Sequence, residues 1–169
     1  SSKEIDITQV TSIEKVWQQL KPDFCINTAA YTAVDKAESE SDKATLINVD
    51  GARNLATICK EFNTTLLHIS TDFVFDGSKT TPYLESDATN PQSVYGTTKR
   101  DGELAIINTM QAYFIIRTSW LYSQFGNNFM KTMLRLAQER SALSIVDDQI
   151  GSPTHAIDLA EMLLTIIQS

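Results

Sequence analysis

The sequence is poor in the residues that build metal sites and disulfide frameworks. Its 169 residues include two cysteines and two histidines, and Cys25 and Cys59 form no C-x-x-C pair. We therefore expect two reduced, buried thiols, as is usual in the cytosol, and no zinc or other metal site. The chain has no signal-peptide pattern and no apolar run long enough to cross a bilayer, so we expect a cytoplasmic protein without membrane contact.

Basic residues are also scarce. The chain has 14 Lys and Arg against 21 Asp and Glu, a formal net charge of −7. A nucleic-acid-binding face needs a basic surface, so no nucleic-acid partner is expected. The length corresponds to one domain with a sizeable core.

Short apolar runs alternate with helical patterns, which predicts βαβ units and a Rossmann-like α/β fold with a doubly wound parallel sheet. The predicted strands are residues 24–27, 65–69, 113–117 and 143–146. The predicted helices are residues 11–20, 42–62, 95–108, 127–139 and 156–167. Thr11 and Glu14 resemble a capping box opening the first helix. Residues 73–91 are predicted as an irregular loop of the length typical of functional loops.

Glycine is the third deficit. A dinucleotide-binding fold begins with a strand and a Gly-rich turn that approaches the pyrophosphate, and none of the six glycines forms such a turn. The opening residues 1–6 are typical of the end of a strand. We therefore expect an excerpt of a larger protein that by itself binds a dinucleotide poorly.

Tyr95 and Lys99 are spaced i, i+4 and so share one face of a helix. An ammonium group beside a phenol lowers the tyrosine pKa from about 10, which suits a general acid that protonates a carbonyl oxygen while hydride reaches the carbon. Thr71 is placed to give that oxygen a second hydrogen bond. The pattern predicts a nicotinamide-dependent reductase, although the spacing by itself also fits a solvated helix face.

Ligands of open parallel sheets bind outside the carboxyl ends of the strands. Residues 29–32, 70–72 and 118–122 each follow a predicted strand, so we expect them at one cleft, with Tyr95 entering from the start of its helix. His68 alternates into a buried strand face, which favours a hydrogen-bonded core histidine over a general base.

Six segments cover nearly the whole chain in order: NTAAYTAVDKAE (27–38), ISTDFVFDG (69–77), YGTTK (95–99), RTSWLY (117–122), GNNFMKTMLRL (126–136) and DDQIGSPT (147–154). Together they resemble the dTDP-4-dehydrorhamnose reductase family of the extended short-chain dehydrogenase/reductase superfamily. The resemblance implies that residues 1–169 form a partial NAD(P)-binding domain. The start of a substrate domain is expected near residues 145–169, with most of that domain absent.

The resemblance also implies the reaction and the roles of residues. Hydride from NADPH or NADH would reduce the C4 ketone of dTDP-4-dehydro-L-rhamnose, a nucleotide sugar, giving dTDP-L-rhamnose for cell-surface polysaccharide. Tyr95 would donate the proton, Lys99 would tune its pKa and reach the nicotinamide ribose, and Thr71 would polarise the ketone. The implied cofactor residues are Asp6, Ile7, Ala29, Ala30, Tyr31, Thr32, Tyr95 and Lys99, and the implied substrate residues are Thr71, Asp72 and Trp120.

Several alternatives stay open. Asp6 also fits a turn residue, and Trp120 also fits an ordinary core position. Phe73 stands where the family usually has tyrosine. The sequence distinguishes neither NADPH from NADH nor a monomer from a homodimer.

Two other functions share the superfamily fold. One is a nucleotide-sugar epimerase or dehydratase. Dehydration is disfavoured because the dehydratase pattern at the strand end is Thr-Asp-Glu, and this chain has Phe73 at the third position. A non-catalytic protein resembling the methionine adenosyltransferase β subunit keeps a similar Tyr-Gly-x-x-Lys. The segments 34–38 and 118–120 favour the reductase.

Overall fold

The computed structural model describes residues 5–169. The chain forms two compact units, one ending at Arg117 and the other running from Thr118 to Ser169. Residues 1–4, predicted with Ile5 and Asp6 as the end of a strand, lie outside the described part. Ile5 and Asp6 themselves belong to no strand.

The first unit is built on a three-stranded sheet in the order β1-β2-β3. Its strands are β1 (Phe24–Asn27), β2 (Thr65–Thr71) and β3 (Tyr113–Thr118). β1 pairs with β2 in parallel, with Asn27 opposite His68, so the chain leaves both strands at the same edge of the sheet. The α/β class and the parallel pairing are thus as predicted.

Five α-helices lie in the described part of this unit. They are α1 (Val10–Leu20), α2 (Val34–Ala37), α3 (Ser41–Thr45), α4 (Gly51–Glu61) and α5 (Val94–Thr109). The capping-box prediction is wrong: α1 begins at Val10, and its N-cap residue Gln9 makes no side-chain capping bond. The hydroxyl of Ser12 instead accepts the backbone N–H of Asp6 at 2.9 Å, which ties the preceding turn to the helix.

The main core lies where α1 and α4 pack against β2. Ile13 and Trp17 of α1, Leu55 and Cys59 of α4, and Leu66 of β2 are all less than 5% exposed. Burial of such side chains contributes about 1.5–3 kcal/mol each. The packing of these two helices therefore stabilises the sheet on the face that they cover.

The helix predicted over residues 42–62 is interrupted at its centre. α3 continues through a π-helical turn (Leu46–Asp50) into α4. Gly102 of α5 packs directly on this turn, where a Cβ atom would lie 2.2 Å from the Asn48 carbonyl oxygen. Only glycine allows α5 to approach so closely, and this approach fixes the helix that carries Tyr95 and Lys99.

The second unit contains a two-stranded parallel pair, β4 (Leu121–Tyr122) and β5 (Thr154–His155), with α6 (Phe129–Glu139) and α7 (Ala156–Gln168). The strand predicted at 143–146 is wrong, because this segment is irregular and Ile145 and Val146 are exposed. A short β-branched run needs a pairing partner, and propensity alone does not supply one.

No helix within residues 5–169 has both the length and the apolar character that a bilayer-spanning segment requires.

Candidate active site

The N-terminus of α5 is fixed by two side chains. The hydroxyl of Ser93 accepts the N–H of Gly96 at 3.1 Å, and the carboxylate of Glu38 accepts the N–H of Val94 at 2.9 Å. A Cβ atom on Gly96 would lie 2.2 Å from the carbonyl oxygen of Phe73, so glycine lets this first turn touch the chain leaving β2. These contacts place Tyr95 beside that strand end.

Thr71 ends β2 and caps the short 3₁₀ turn that follows it (Asp72–Val74). Its hydroxyl accepts the N–H of Phe73 at 3.2 Å and donates to the Asp72 carboxylate at 3.1 Å. Thr71 is also near enough to the Tyr95 phenol to affect its pKa. The Phe73 ring packs edge-on against the Tyr95 ring, with centroids 5.6 Å apart. The structure therefore brings Thr71, Asp72 and Tyr95 together.

The predicted lowering of the Tyr95 pKa is wrong for this arrangement. Burial raises the pKa of the phenol and the nearby Asp72 charge raises it further, while the Thr71 hydrogen bond acts in the opposite direction. The Lys99 amine is directed elsewhere: its Nζ lies 2.8 Å from the Ile69 carbonyl oxygen and 3.3 Å from His68 Nε2. Tyr95 and Lys99 do both reach the end of β2, so the expectation of one shared helix face holds.

Lys99 is almost completely buried, with 2% of its surface exposed. Burial lowers its pKa to about 8, and the charge of Glu103, one turn further along α5, partly offsets this. Glu103 in turn forms two hydrogen bonds with the Arg117 guanidinium of β3, at 3.0 and 2.7 Å. The carboxylate nearest to Lys99 therefore already has a positively charged partner in Arg117.

His68 is the hydrogen-bonded core histidine that its strand position predicted. It is 1% exposed, and its Nδ1 lies 2.9 Å from Asn27 Nδ2. Burial, aided by the charge of Lys99, lowers its pKa to about 3, so the ring is neutral at pH 7.

The loop after β1 is anchored by Asn48, a residue that the sequence interpretation missed. Asn48 Oδ1 accepts the N–H of Tyr31 at 2.8 Å, and its Nδ2 donates to the Tyr31 carbonyl at 3.3 Å and to the Thr98 hydroxyl at 3.1 Å. Its position four residues before the buried Ala52 was the available signal, because a polar residue on an apolar helix stripe needs partners inside the protein. Glu38 offered no local signal, since its partner Val94 lies 56 residues away.

The anchored loop presents small side chains to its surroundings. Ala29 and Thr32 are exposed and Ala30 is half-buried, whereas the Tyr31 ring packs inward against Ala37 and Ala44.

Asp6 and Ile7, the other predicted cofactor residues, have clear local roles. The Asp6 carboxylate accepts the N–H and the hydroxyl of Thr8 at 2.9 and 2.7 Å, which closes a turn and lowers its pKa. Ile7 packs against the main core and against Gly51, where a Cβ atom would meet its side chain at 2.7 Å. The turn interpretation of Asp6 thus describes its observed contacts.

Trp120 belongs to the second unit, and it is not the core residue that the alternative proposed. It is 48% exposed and has a φ of +47°, an unusual conformation for a bulky side chain. Gly151 lies against its ring, where a Cβ atom would be 2.8 Å from the indole. The carbonyl of Trp120 accepts the N–H of Thr154 at 3.3 Å.

Within residues 5–169, no three His, Cys, Asp or Glu side chains group in a way that could hold a metal ion.

A family model described as the RmlD substrate binding domain matches residues 1–169. The dTDP-4-dehydrorhamnose reductase of Aggregatibacter actinomycetemcomitans is 44% identical over 98% of this chain and 56% of its own length. The enzyme of the same name from Sinorhizobium fredii is 48% identical over 86% of this chain and 49% of its own length. The chain thus spans about half the length of these curated relatives.

Among solved structures, a dTDP-4-dehydrorhamnose reductase from Bacillus anthracis in complex with NADP superimposes with a TM-score of 0.97 at 44% identity. The match covers 100% of this chain and 60% of that one.

Proposed function

Because the chain belongs to the RmlD substrate binding domain family, we propose that the full-length protein carrying it reduces the C4 ketone of dTDP-4-dehydro-L-rhamnose with NADPH or NADH. Family membership confirms the resemblance predicted from the six motifs. The observation that carries the proposal is the grouping of Thr71, Tyr95 and Lys99 at the end of β2. That grouping occurs in a chain 44% identical to a named reductase.

The residues of the first unit fit a nicotinamide cofactor. Ala29, Ala30 and Thr32 would line it, with Tyr31 anchoring their loop, and Lys99 would donate an N–H to a ribose hydroxyl. Asp6 and Ile7 are proposed for the adenosine half. The bound cofactor supplies hydride to the ketone carbon.

The chemistry on the protein side is proton transfer to the ketone oxygen. The raised pKa of Tyr95 keeps the phenol protonated at neutral pH, so it can donate to the alkoxide as that charge develops. The Thr71 hydroxyl donates to Asp72 in this structure, and it would turn from that carboxylate to give the ketone oxygen a second hydrogen bond.

Asp72 and Trp120 are proposed to contact the sugar nucleotide. The positive φ of Trp120 supports this role, since strained backbone positions cluster at functional sites. An exposed indole offers a flat apolar surface to a sugar ring. A cytoplasmic location and a homodimer remain predictions, and the net charge of −7 disfavours a nucleic-acid partner.

The relatives' names favour the reductase over the two alternatives. Phe73 adds a structural reason against dehydration. Its ring contacts Tyr95 at the position where the dehydratase pattern Thr-Asp-Glu has a second carboxylate. A hydrocarbon side chain cannot move the protons that dehydration requires.

The test uses the full-length protein with NADPH that carries deuterium at the transferable position, and with dTDP-4-dehydro-L-rhamnose. We expect one deuterium at C4 of the product for each cofactor oxidised. dTDP-glucose, a dehydratase substrate, serves as the control and should release no water. Absence of cofactor oxidation with the keto sugar would refute the proposal, and elimination from dTDP-glucose would favour a dehydratase.

A further inference from the structure

The first turn of α5 is fixed by a residue from a distant part of the chain as well as by its own cap. Val94 and Gly96 flank Tyr95, and their N–H groups donate to Glu38 at 2.9 Å and to Ser93 at 3.1 Å. The first N–H groups of a helix have no acceptor within the helix, and these two side chains supply one each. Ser93 is the N-cap of α5 itself, whereas Glu38 follows α2 and lies 56 residues before its partner. The Glu38 bond therefore ties the turn that carries Tyr95 to another element.

The end of α2 also packs against this turn through apolar side chains. Ala37 has no exposed surface, and it belongs to the same buried cluster as the Tyr31 ring. Val94 and Tyr95 both pack against this cluster. Glu38, the next residue along the chain, thus adds a polar contact beside an apolar one.

α2 begins shortly after the loop proposed to line the cofactor, residues 29–32. A helix of four residues is not stable in water by itself, so α2 depends on tertiary contacts. The Tyr31 hydroxyl donates to Glu40 at 3.0 Å, which joins the residues before α2 to those after it. α2 is therefore a short, anchored connection between the proposed cofactor loop and the first turn of α5.

We propose that Glu38 is a positioning residue: its carboxylate holds the first turn of α5 against α2 and so places the Tyr95 phenol at the end of β2. The catalytic consequence rests on the function proposed above, in which Tyr95 donates the proton. A carboxylate suits this position because it accepts a charge-assisted hydrogen bond and its negative charge is favourable at a helix N-terminus. The Glu38 side chain is exposed, so its replacement leaves the core intact.

Three variants separate the hydrogen bond from the charge. Glu38→Gln keeps an oxygen that can accept the N–H of Val94 but removes the negative charge, whereas Glu38→Ala removes both. Asp35→Ala is the matched control, because Asp35 is an exposed carboxylate in the first turn of the same short helix.

The first test measures amide hydrogen exchange by NMR in the full-length protein, without a sugar nucleotide. An N–H that loses its acceptor exchanges faster with solvent. We expect Glu38→Ala to speed exchange of the Val94 N–H by about fivefold or more, the size of one capping interaction. Glu38→Gln should have a smaller effect, and Asp35→Ala should leave the rate unchanged. Exchange of Val94 at the wild-type rate in Glu38→Ala would overturn the proposal.

The second test measures proton transfer with NADPH and dTDP-4-dehydro-L-rhamnose. We expect Glu38→Ala to lower kcat by about fivefold and to raise the solvent deuterium isotope effect on kcat, because a misplaced phenol transfers its proton more slowly. NADPH affinity should stay within about twofold of the wild type, since Asn48 holds the Tyr31 backbone independently of Glu38. A substitution that only destabilises the fold lowers the amount of active protein and leaves the isotope effect unchanged.

The conservative variant completes the test. Glu38→Gln should retain more than half of the wild-type kcat, and Asp35→Ala should match the wild type. Equal kcat values in Glu38→Gln and Glu38→Ala, or an unaltered isotope effect in Glu38→Ala, would contradict the positioning role.

The position of Tyr95 can also be measured without any reaction. The rings of Phe73 and Tyr95 have centroids 5.6 Å apart, so nuclear Overhauser contacts between them report where the phenol lies. We expect Glu38→Ala to weaken these contacts and Glu38→Gln to keep them, and equal contacts in both variants would overturn the proposal. Wild-type protein that binds NADPH but leaves the keto sugar unreduced would refute the proposed function alone, because the exchange rates and the ring contacts still decide the role of Glu38.

Discussion

Replacing Asn48 by alanine tests how the proposed cofactor loop is held to the proposed catalytic helix. Asn48 is 2% exposed and makes three hydrogen bonds, two to the backbone of Tyr31 and one to the Thr98 hydroxyl. The Thr98 hydroxyl also donates to the carbonyl of Tyr95 at 3.0 Å. The substitution therefore cuts the loop from the turn that carries Tyr95.

The expected loss of stability follows from the partners left behind. The N–H of Tyr31 loses its acceptor and the C=O of Tyr31 loses its donor. Each unsatisfied buried group costs about 1–3 kcal/mol. Some water can reach the loop from its exposed side, so we expect a destabilisation of about 3 kcal/mol. Asn54→Ala is the matched control, because among residues 5–169 the Asn54 side chain makes one hydrogen bond, to the Ile7 carbonyl at 3.0 Å. Its loss should cost about 1 kcal/mol.

Urea unfolding of the full-length protein measures both values, and NADPH fluorescence titration measures the effect on the loop. Asn48→Ala should also weaken NADPH binding, and by more than Asn54→Ala, which loosens only the segment at Ile7 proposed for the adenosine half. Equal destabilisation by the two substitutions, or unaltered NADPH binding in Asn48→Ala, would show that Asn48 does not organise the loop.

Three further outcomes are expected. Gly102→Ala should destabilise the protein by about 2 kcal/mol or more in urea, because the new methyl group meets the Asn48 carbonyl oxygen at 2.2 Å. Glu103→Ala should cost about 2–4 kcal/mol by the same measurement, since it leaves the Arg117 guanidinium partly buried without its partner; no loss would refute the importance of this pair. Stability should fall as the pH is lowered from about 6.5 towards 3, because the His68 pKa of about 3 in the folded state lies below its value of 6.5 in the unfolded chain, so the unfolded state takes up the proton first. Between pH 7 and pH 4 this contribution amounts to about 3 kcal/mol, and it should be absent in His68→Gln, as thermal unfolding at the two pH values would show.

Much of the first unit followed from periodicity and spacing. The bounds of β1 and the buried position of His68 were predicted because a strand's apolar alternation is a local pattern. The shared face of Tyr95 and Lys99 followed from the helical repeat alone. These features depend on residues that are neighbours in sequence.

The direction of the Tyr95 pKa shift could not be predicted in this way. Spacing places Lys99 one turn from Tyr95, but it does not reveal that His68 and the Ile69 carbonyl engage the amine or that burial raises the pKa of the phenol. Those partners lie 31 and 30 residues from Lys99. Pairing across such distances is set by the tertiary packing.

The strand predicted at 143–146 failed for a related reason. Ile145 and Val146 have strong β-propensity, yet a strand exists only where another strand offers hydrogen bonds. In the second unit those bonds join β4 to β5 instead. The unusual backbone of Trp120 had no sequence signal either, because a positive φ at tryptophan is imposed by its surroundings.

The central claim is that the Tyr95 phenol gives its proton to the ketone oxygen. Steady-state oxidation of NADPH by the full-length protein, with dTDP-4-dehydro-L-rhamnose and with Tyr95→Phe beside the wild type, tests it directly. Loss of the hydroxyl should lower kcat by about 100-fold or more while NADPH affinity stays within a few-fold, since the ring and its contact with Phe73 are kept. A Tyr95→Phe variant that turns over at the wild-type rate would contradict the claim.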